Sequence, residues 1–311
     1  MTSPAPTPSA ERPGLWFPTG YEGVMYRPDP QVKSQPLRHA LSVDLEDWSQ
    51  SVFDHDRPVS TRFISGTHRI LELLDTFRVR ATFFVLGLAA EIAPSLIRAL
   101  HRGGHEIQIH GYDHTEVHHQ TPEQFRQDLL RAKGIVEDLI GCEVYGYRAP
   151  RFSITAGNLW ALDVLVRCGL RYDSSIFPLR IRGYGIDGWP RFEHRLRTRE
   201  GLELVEVPVA TVRVLGRVLP LGGGGYLRLL PYPLIRLGVR RLHSRGVSAV
   251  LYCHPYEFDP GAFAESSLPV PWSVRLHQGL GRRGFAHKIC ELLDEFPFGP
   301  ICDLLPEDVR G

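Results

Sequence analysis

His105-Glu-Ile-Gln-Ile-His110-Gly-Tyr-Asp-His114 is the stretch on which the reading of this chain turns. From His105 to His110 polar and apolar side chains alternate, which is the period of a β-strand. The strand runs out at His110, and a second imidazole follows four residues later at His114. Two histidines placed there can converge on one metal ion. Neutral imidazole suits zinc, cobalt or nickel, and two such ligands plus a carboxylate leave coordination positions open. The plain alternative is a pair of surface or satisfied core histidines.

Working outward, strands and helices alternate. His39–Asp44 reads as a strand, Ser65–Phe77 as a helix, Ala81–Leu86 as a buried strand and Glu91–His101 as a helix. Thr121-Pro-Glu-Gln124 is a helix start with a physical rationale: Thr caps, Pro fits the first turn, and Gln closes the box. Tyr145–Arg148, Leu170–Asp173, Leu204–Pro208 and Ala249–Cys253 read as further strands, with helices at 155–167, 233–244 and 284–295. Residues 180–200 break the rhythm and suggest an irregular insertion or hairpin. Seven strands separated by helices predict a parallel α/β sheet or barrel in one large domain. That domain spans 37–311, behind a proline-rich leader over 1–36 that reads as mostly disordered.

Bulk properties bound the function. The chain has 311 residues, 43% hydrophobic and 23% charged, with a formal net charge of +1. No basic field argues for nucleic acid. Five cysteines without a Cys-x-x-Cys pair argue against a disulfide framework or thiolate zinc site. The N-terminus lacks the pattern of a secretory signal, and no apolar run reaches membrane-spanning length. A cytoplasmic location, near the inner membrane surface at most, is expected.

Polar residues gather where the other strands end, as in the active sites of α/β barrels. Asp44 and Glu46 are two apart in an extended segment and share a face, with Asp47 just beyond. A solvated acidic turn is the plain alternative. Arg148, two before Pro150, is rigidly placed to grip a catalytic carboxylate, and Asp173 can anchor it. His254 emerges from Val-Leu-Tyr-Cys before a proline and is placed to donate a proton. Gly222–Gly225 lacks a following Gly-Lys-Ser/Thr, so it reads as a tight backbone turn rather than a phosphate loop.

These segments, in this order, resemble the NodB-type polysaccharide deacetylases, carbohydrate esterase family 4, over about residues 38–305. Asp44-Leu-Glu46-Asp47 is similar to the family's first motif, with Asp-x-Glu-Asp in place of the usual Asp-Asp. His110-Gly-Tyr-Asp-His114, Arg148-Ala-Pro150, Tyr172-Asp173-Ser-Ser and Leu251-Tyr-Cys-His254 resemble the other four. Asp-Leu-Glu-Asp-Trp48, Gly223–Pro231 and His254-Pro-Tyr-Glu-Phe258 are similar to the subgroup associated with exosortase and exopolysaccharide gene clusters. The resemblance implies a distorted (β/α) barrel of about seven parallel strands.

It also implies an activity: removal of N-acetyl groups from amino sugars of an exopolysaccharide or its lipid-linked precursor. The expected cofactor is one divalent metal, zinc first, held by His110, His114 and either Glu46 or Asp47. Asp44 would act as base, Arg148 and Asp173 would support it, a backbone N–H near Arg151 would face the oxyanion, and His254 would act as acid. Trp48 and Tyr226 are candidates for stacking on sugar. Exopolysaccharide assembly proteins are expected partners. The competing readings are a non-catalytic carbohydrate-binding protein and a hydrolase of cyclic amides or ureides.

Overall fold

The computed structural model describes residues 25–27, 37–55, 57–181, 183–261 and 270–310. The leader read over 1–36 lies outside these residues, except for the strand β1 (Met25–Arg27).

The order that follows is β2 (His39–Leu45), α1 (Arg62–Thr76), β3 (Thr82–Val85), α2 (Gly87–Ile92), α3 (Pro94–Arg102), β4 (Glu106–Ile109), α4 (Pro122–Ile140), β5 (Gly146–Tyr147), α5 (Trp160–Arg167) and β6 (Tyr172–Asp173). Then come β7 (His194–Arg197), β8 (Glu203–Glu206), β9 (Thr211–Val214), β10 (Arg217–Pro220), α6 (Gly224–Leu229), α7 (Tyr232–His243), β11 (Val250–Cys253), α8 (Trp272–Gly279), α9 (Phe285–Glu295) and β12 (Phe298–Gly299). The helix expected at 91–101 is two helices, broken at Ala93 before Pro94, where proline favours a first turn. Residues 180–200 do form a hairpin arm: β7 pairs antiparallel with β8, and β1 pairs with β7.

Seven strands run parallel in the order β11-β2-β3-β4-β5-β6-β8, curling into a half-barrel clothed by helices. Backbone bonds through Ala210 and Gly222 bridge the end of β8 to β11 (Ala210 N to Val250 O, 2.9 Å; Tyr252 N to Gly222 O, 2.7 Å). The predicted cap on α4 is present: Gln124 N donates to Thr121 Oγ1, and Thr121 N donates to Gln124 Oε1.

The alternation along the strands divides two apolar regions. Leu41, Val43, Leu45, Phe83, Val85, Ile107 and Ile109 pack outward against the helices. Ala40, Phe84, Tyr172, Val205 and Val250 point inward, where Ile301, Leu304, Leu305 and Val309 fill the bottom of the half-barrel. Glu106, buried, ties that plug down by accepting from Cys302 N (3.0 Å), and it also accepts from Tyr172 OH of β6 (2.9 Å). Above this floor the inward column turns polar, which positions the site. All five cysteines are free thiols.

Candidate active site and metal centre

Inward parity carries Ser42, Asp44 and Glu46 from β2, Gln108 and His110 from β4, Arg148 from β5, and Ser174 from β6 into one space. Each is no more than 3% exposed. Burying so many polar groups is costly unless they are paired, and the pairing defines the chemistry.

Glu46 is the hub. Its Oε2 lies 2.8 Å from His114 Nε2 and 3.5 Å from His110 Nε2, and its Oε1 lies 3.7 Å from His254 Nε2. Burial alone would raise its pKa, but His114 and His110, with His254 behind them, hold it well below the usual carboxylate range. The loop that brings His114 in is bent deliberately. Gly111 has φ 82°, and a Cβ there would meet Asp128 Oδ2 at 3.0 Å. Asp128 in turn accepts from Tyr112 N, and Asp113 accepts from Thr115 N and Oγ1. Gln50 Nε2 grips the Asp113 carbonyl at 2.6 Å. His114 itself is left-handed, φ 73°, a conformation tolerated where the surroundings over-determine it.

These residues fit a metal ion. Glu46, His110 and His114 offer one oxygen and two nitrogens, all within 4.8 Å of one another. His110 Nδ1 is 2.7 Å from the Arg148 carbonyl, which can only accept, so the ring hydrogen sits on Nδ1 and the Nε2 lone pair faces the cluster. Two imidazoles and a carboxylate are a set known for zinc, with open positions left over. Asp47 is not brought to this cluster. Its oxygens accept from Ser49 Oγ, Ser60 N (3.1 Å) and Ser60 Oγ (2.8 Å), so it shapes the segment after β2 instead.

Beside the cluster, Arg148 Nη1 donates to Asp44 Oδ1 at 2.7 Å and to Ser42 Oγ at 2.8 Å. Its guanidinium lies 4.2 Å from the Phe84 ring centroid and 5.4 Å from that of Tyr252. The expected anchor is corrected here. Arg148 is held by Ser174, through its carbonyl (3.3 Å) and its hydroxyl (2.9 Å), and no bond joins it to Asp173. Asp173 belongs to the outward face of β6, opposite to Tyr172 and Ser174, and pairs in register with Glu206 of β8. Ser175 Oγ takes one Asp173 oxygen and Ile176 N takes one of Glu206. The remaining two oxygens, Asp173 Oδ2 and Glu206 Oε2, are buried without a hydrogen-bond partner among the described residues, and burial raises the Asp173 pKa to about 6. Burial, and then the Asp173 charge, pushes the Glu206 carboxyl well above its usual range.

His254 stands at the end of β11, stacked on Tyr256 (4.6 Å between centroids, 11° between planes). The sequence reading gave Glu257 no role, yet it is buried and lies 3.3 Å from His254 Nδ1. Burial opposes charge on His254, but Glu257, and then Glu46, outweigh it and raise its pKa. Arg228 Nε sits 3.5 Å from Glu257. The glycine run now has a reason: a Cβ on Gly224 would lie 2.2 Å from Glu257 Oε2, so only glycine admits that carboxylate. The signal available beforehand was an acid three residues after His254.

Two aromatic candidates part ways. Trp48 is 2% exposed and packs on Tyr256 and Val270, so it is a core residue. Tyr226 is half-buried in a group with Phe152, Phe177, Tyr184 and Tyr252 beside the site. Arg151 and Phe152 are both left-handed (φ 53° and 54°), marking the turn after Pro150 as strained.

Residues 53–172 match the polysaccharide deacetylase family, and residues 174–306 match a domain of unknown function, DUF3473. The site draws on both: His110, His114 and Arg148 lie in the first region, Ser174, His254 and Glu257 in the second, and Asp44 and Glu46 precede both. A peptidoglycan deacetylase of Helicobacter pylori is 26% identical over 155 residues, 46% of this chain and 52% of that protein. A peptidoglycan-N-acetylglucosamine deacetylase of Bacillus cereus is 31% identical over 98 residues, 31% of this chain and 36% of that protein. The chain spans about half or less of the length of these relatives. Among solved structures, a Mycobacterium smegmatis protein assigned to the polysaccharide deacetylases superposes with TM-score 0.55 at 23% identity, covering 84% of this chain and 86% of that one. Puue allantoinase superposes with TM-score 0.57 at 14% identity over the same shares, which is a likeness of fold. Over residues 53–172 the chain is thus similar to the polysaccharide deacetylases, and the superpositions show a shared fold.

Proposed function

We propose that the chain is a metal-dependent hydrolase that removes N-acetyl groups from the amino sugars of a polysaccharide, an exopolysaccharide or its lipid-linked precursor. The observation that carries this reading is one carboxylate, Glu46, touching three imidazoles from two other strands, beside the Asp44–Arg148 pair. Glu46, His110 and His114 would hold a divalent ion, zinc for preference, whose chemistry is to polarise a carbonyl and acidify water.

Asp44 takes the proton of the attacking water. Arg148 donates to Asp44 Oδ1 and fixes its orientation. The turn at Arg151 offers backbone N–H groups toward the developing oxyanion. His254 gives a proton from Nε2 to the amine nitrogen as the C–N bond breaks, leaving acetate and a free amino sugar. Glu257 holds the opposite ring nitrogen, so it selects the tautomer and sustains the charge. Among the described residues no helix is long and apolar enough to cross a membrane. A cytoplasmic setting, with assembly proteins as partners, is carried with this reading as its expectation.

The test is acetate release from N-acetylated glucosamine, galactosamine and peptidoglycan oligosaccharides, with protein stripped by chelator and then reloaded. Release that follows metal content supports the reading. Equal release from the stripped protein overturns it.

A further inference from the structure

Away from the strand ends that form the active site, four arginines line one cleft: Arg191, Arg213, Arg241 and Arg245, over Val212 and Leu242. The cleft lies by the seam where β8 meets β11. Val212 follows the bridging Ala210 by two residues, and Arg245 closes the turn between α7 and β11. The cavity is about 160 Å³, below the roughly 300–1,000 Å³ of drug-sized ligand sites and of a size for a small anion.

Several other arginines in this part of the chain are answered by acids: Arg236 and Arg240 share Glu295, Arg195 takes Asp308, and Arg197 takes Glu203. No carboxylate among the described residues answers the four in the cleft. Burial lowers the Arg191 pKa, and Arg213 and Arg245 lower it further, as expected of like charges facing one another. Four guanidinium groups gathered without a counter-charge are mutually repulsive, so the arrangement calls for an anion. Planar guanidinium forks match phosphate oxygens two at a time. A dianion also answers several forks at once, which a single carboxylate does not.

We propose that this cleft is a binding site for a phosphate group, carried by a soluble phosphate or diphosphate or by a lipid headgroup. It stands apart from the deacetylase reading and does not depend on it.

The experiment uses the full chain with inorganic phosphate and pyrophosphate, by calorimetry and thermal unfolding, against chloride at equal ionic strength. Saturable pyrophosphate binding is expected, weakened about tenfold or more in Arg213→Gln/Arg245→Gln, as loss of charge-assisted hydrogen bonds entails. Arg98→Gln, on α3, should bind as the parent does. Arg213 and Arg245 are exposed, so the variant's unliganded unfolding temperature serves as the check on folding, with Arg241→Gln as a second variant. Sedimentation with phosphatidate-containing and pure phosphatidylcholine vesicles separates the sources. Binding to phosphatidate that pyrophosphate competes away assigns a soluble phosphate site that tolerates lipid. Binding to phosphatidate alone assigns the headgroup. Failure to bind either probe, equal stabilisation by chloride, or unchanged binding in both arginine variants overturns the proposal.

Discussion

On β2, Ala40, Ser42 and Asp44 look into the half-barrel while Leu41, Val43 and Leu45 look out to the helices. On β6 the same parity sends Tyr172 and Ser174 in and Asp173 out. Both faces hold buried carboxylates, but they are kept differently. The inward Asp44 is bonded to Arg148 beside the Glu46–His110–His114 cluster. The outward Asp173 pairs in register with Glu206 beneath the helices, where burial and the Asp173 charge raise the Glu206 pKa well above its usual range. Asp44 at the mouth thus borders the proposed catalytic centre, whereas Asp173 on the outward face is enclosed by packing. Each prediction below pushes on one side of that contrast.

The largest effect is expected inside. His110→Ala or His114→Ala should abolish metal retention and lower acetate release by on the order of 10³-fold, as removal of a metal's electrostatic stabilisation does. Circular dichroism should remain that of the parent. Asp44→Asn comes next, with turnover falling by roughly 10²–10⁴-fold for loss of a general base. It should also destabilise the fold by about 3–5 kcal/mol, because Arg148 is left buried without its counter-charge. Urea unfolding checks the second part, and an unchanged midpoint would mean that the pair is not buried as described.

A smaller effect is expected one step removed. Glu257→Gln removes a charge that raises the His254 pKa. His254 donates only when protonated, so activity falls as pH rises through its pKa. The variant's fall should come at lower pH, and a pH–rate profile reads the shift directly. The smallest catalytic effect is outside. Glu206→Gln should leave acetate release within about twofold, since a protonated carboxyl and an amide both donate. Its signature is in stability. Folding raises the Glu206 pKa, so the folded state binds the extra proton. That contribution is full below the usual carboxylate pKa and fades as pH climbs above it. In the variant that part of the decline should vanish from a series of melting curves. A large loss of turnover in Glu206→Gln would erase the distinction between the faces.

The sequence carried more of the fold than of the site's wiring. Strand period, the Thr121 capping box and the run of strand-end polar residues are local signals, and each is found where its residues placed it. Glu46 was separable from Asp47 only once Ser49 and Ser60 were seen to occupy the latter, a matter of loop geometry rather than spacing. Spacing suggests Asp173 as the anchor of Arg148, but alternation through Tyr172-Asp173-Ser174 puts Asp173 on the far face and Ser174 on the near one. Glu257 and Gly224 lie 33 positions apart in the sequence, and their 2.2 Å clearance is a tertiary fact that neither stretch announces. The hairpin of β9 and β10 and the exposed helix α8 escaped because their apolar residues follow no burial period, with Leu215 98% exposed and none of α8 buried.

The opposite character of the two faces of β4 has a consequence for how this region can vary. Losing or gaining one residue between Glu106 and Ile109 would exchange the faces, driving Ile107 and Ile109 into the wet interior and imidazole and carboxyl into the oily jacket. Substitution there alters a single side chain, whereas an indel inverts the whole strand. Across descendants of this gene, the length of β4 should hold fixed long after its individual residues have begun to drift.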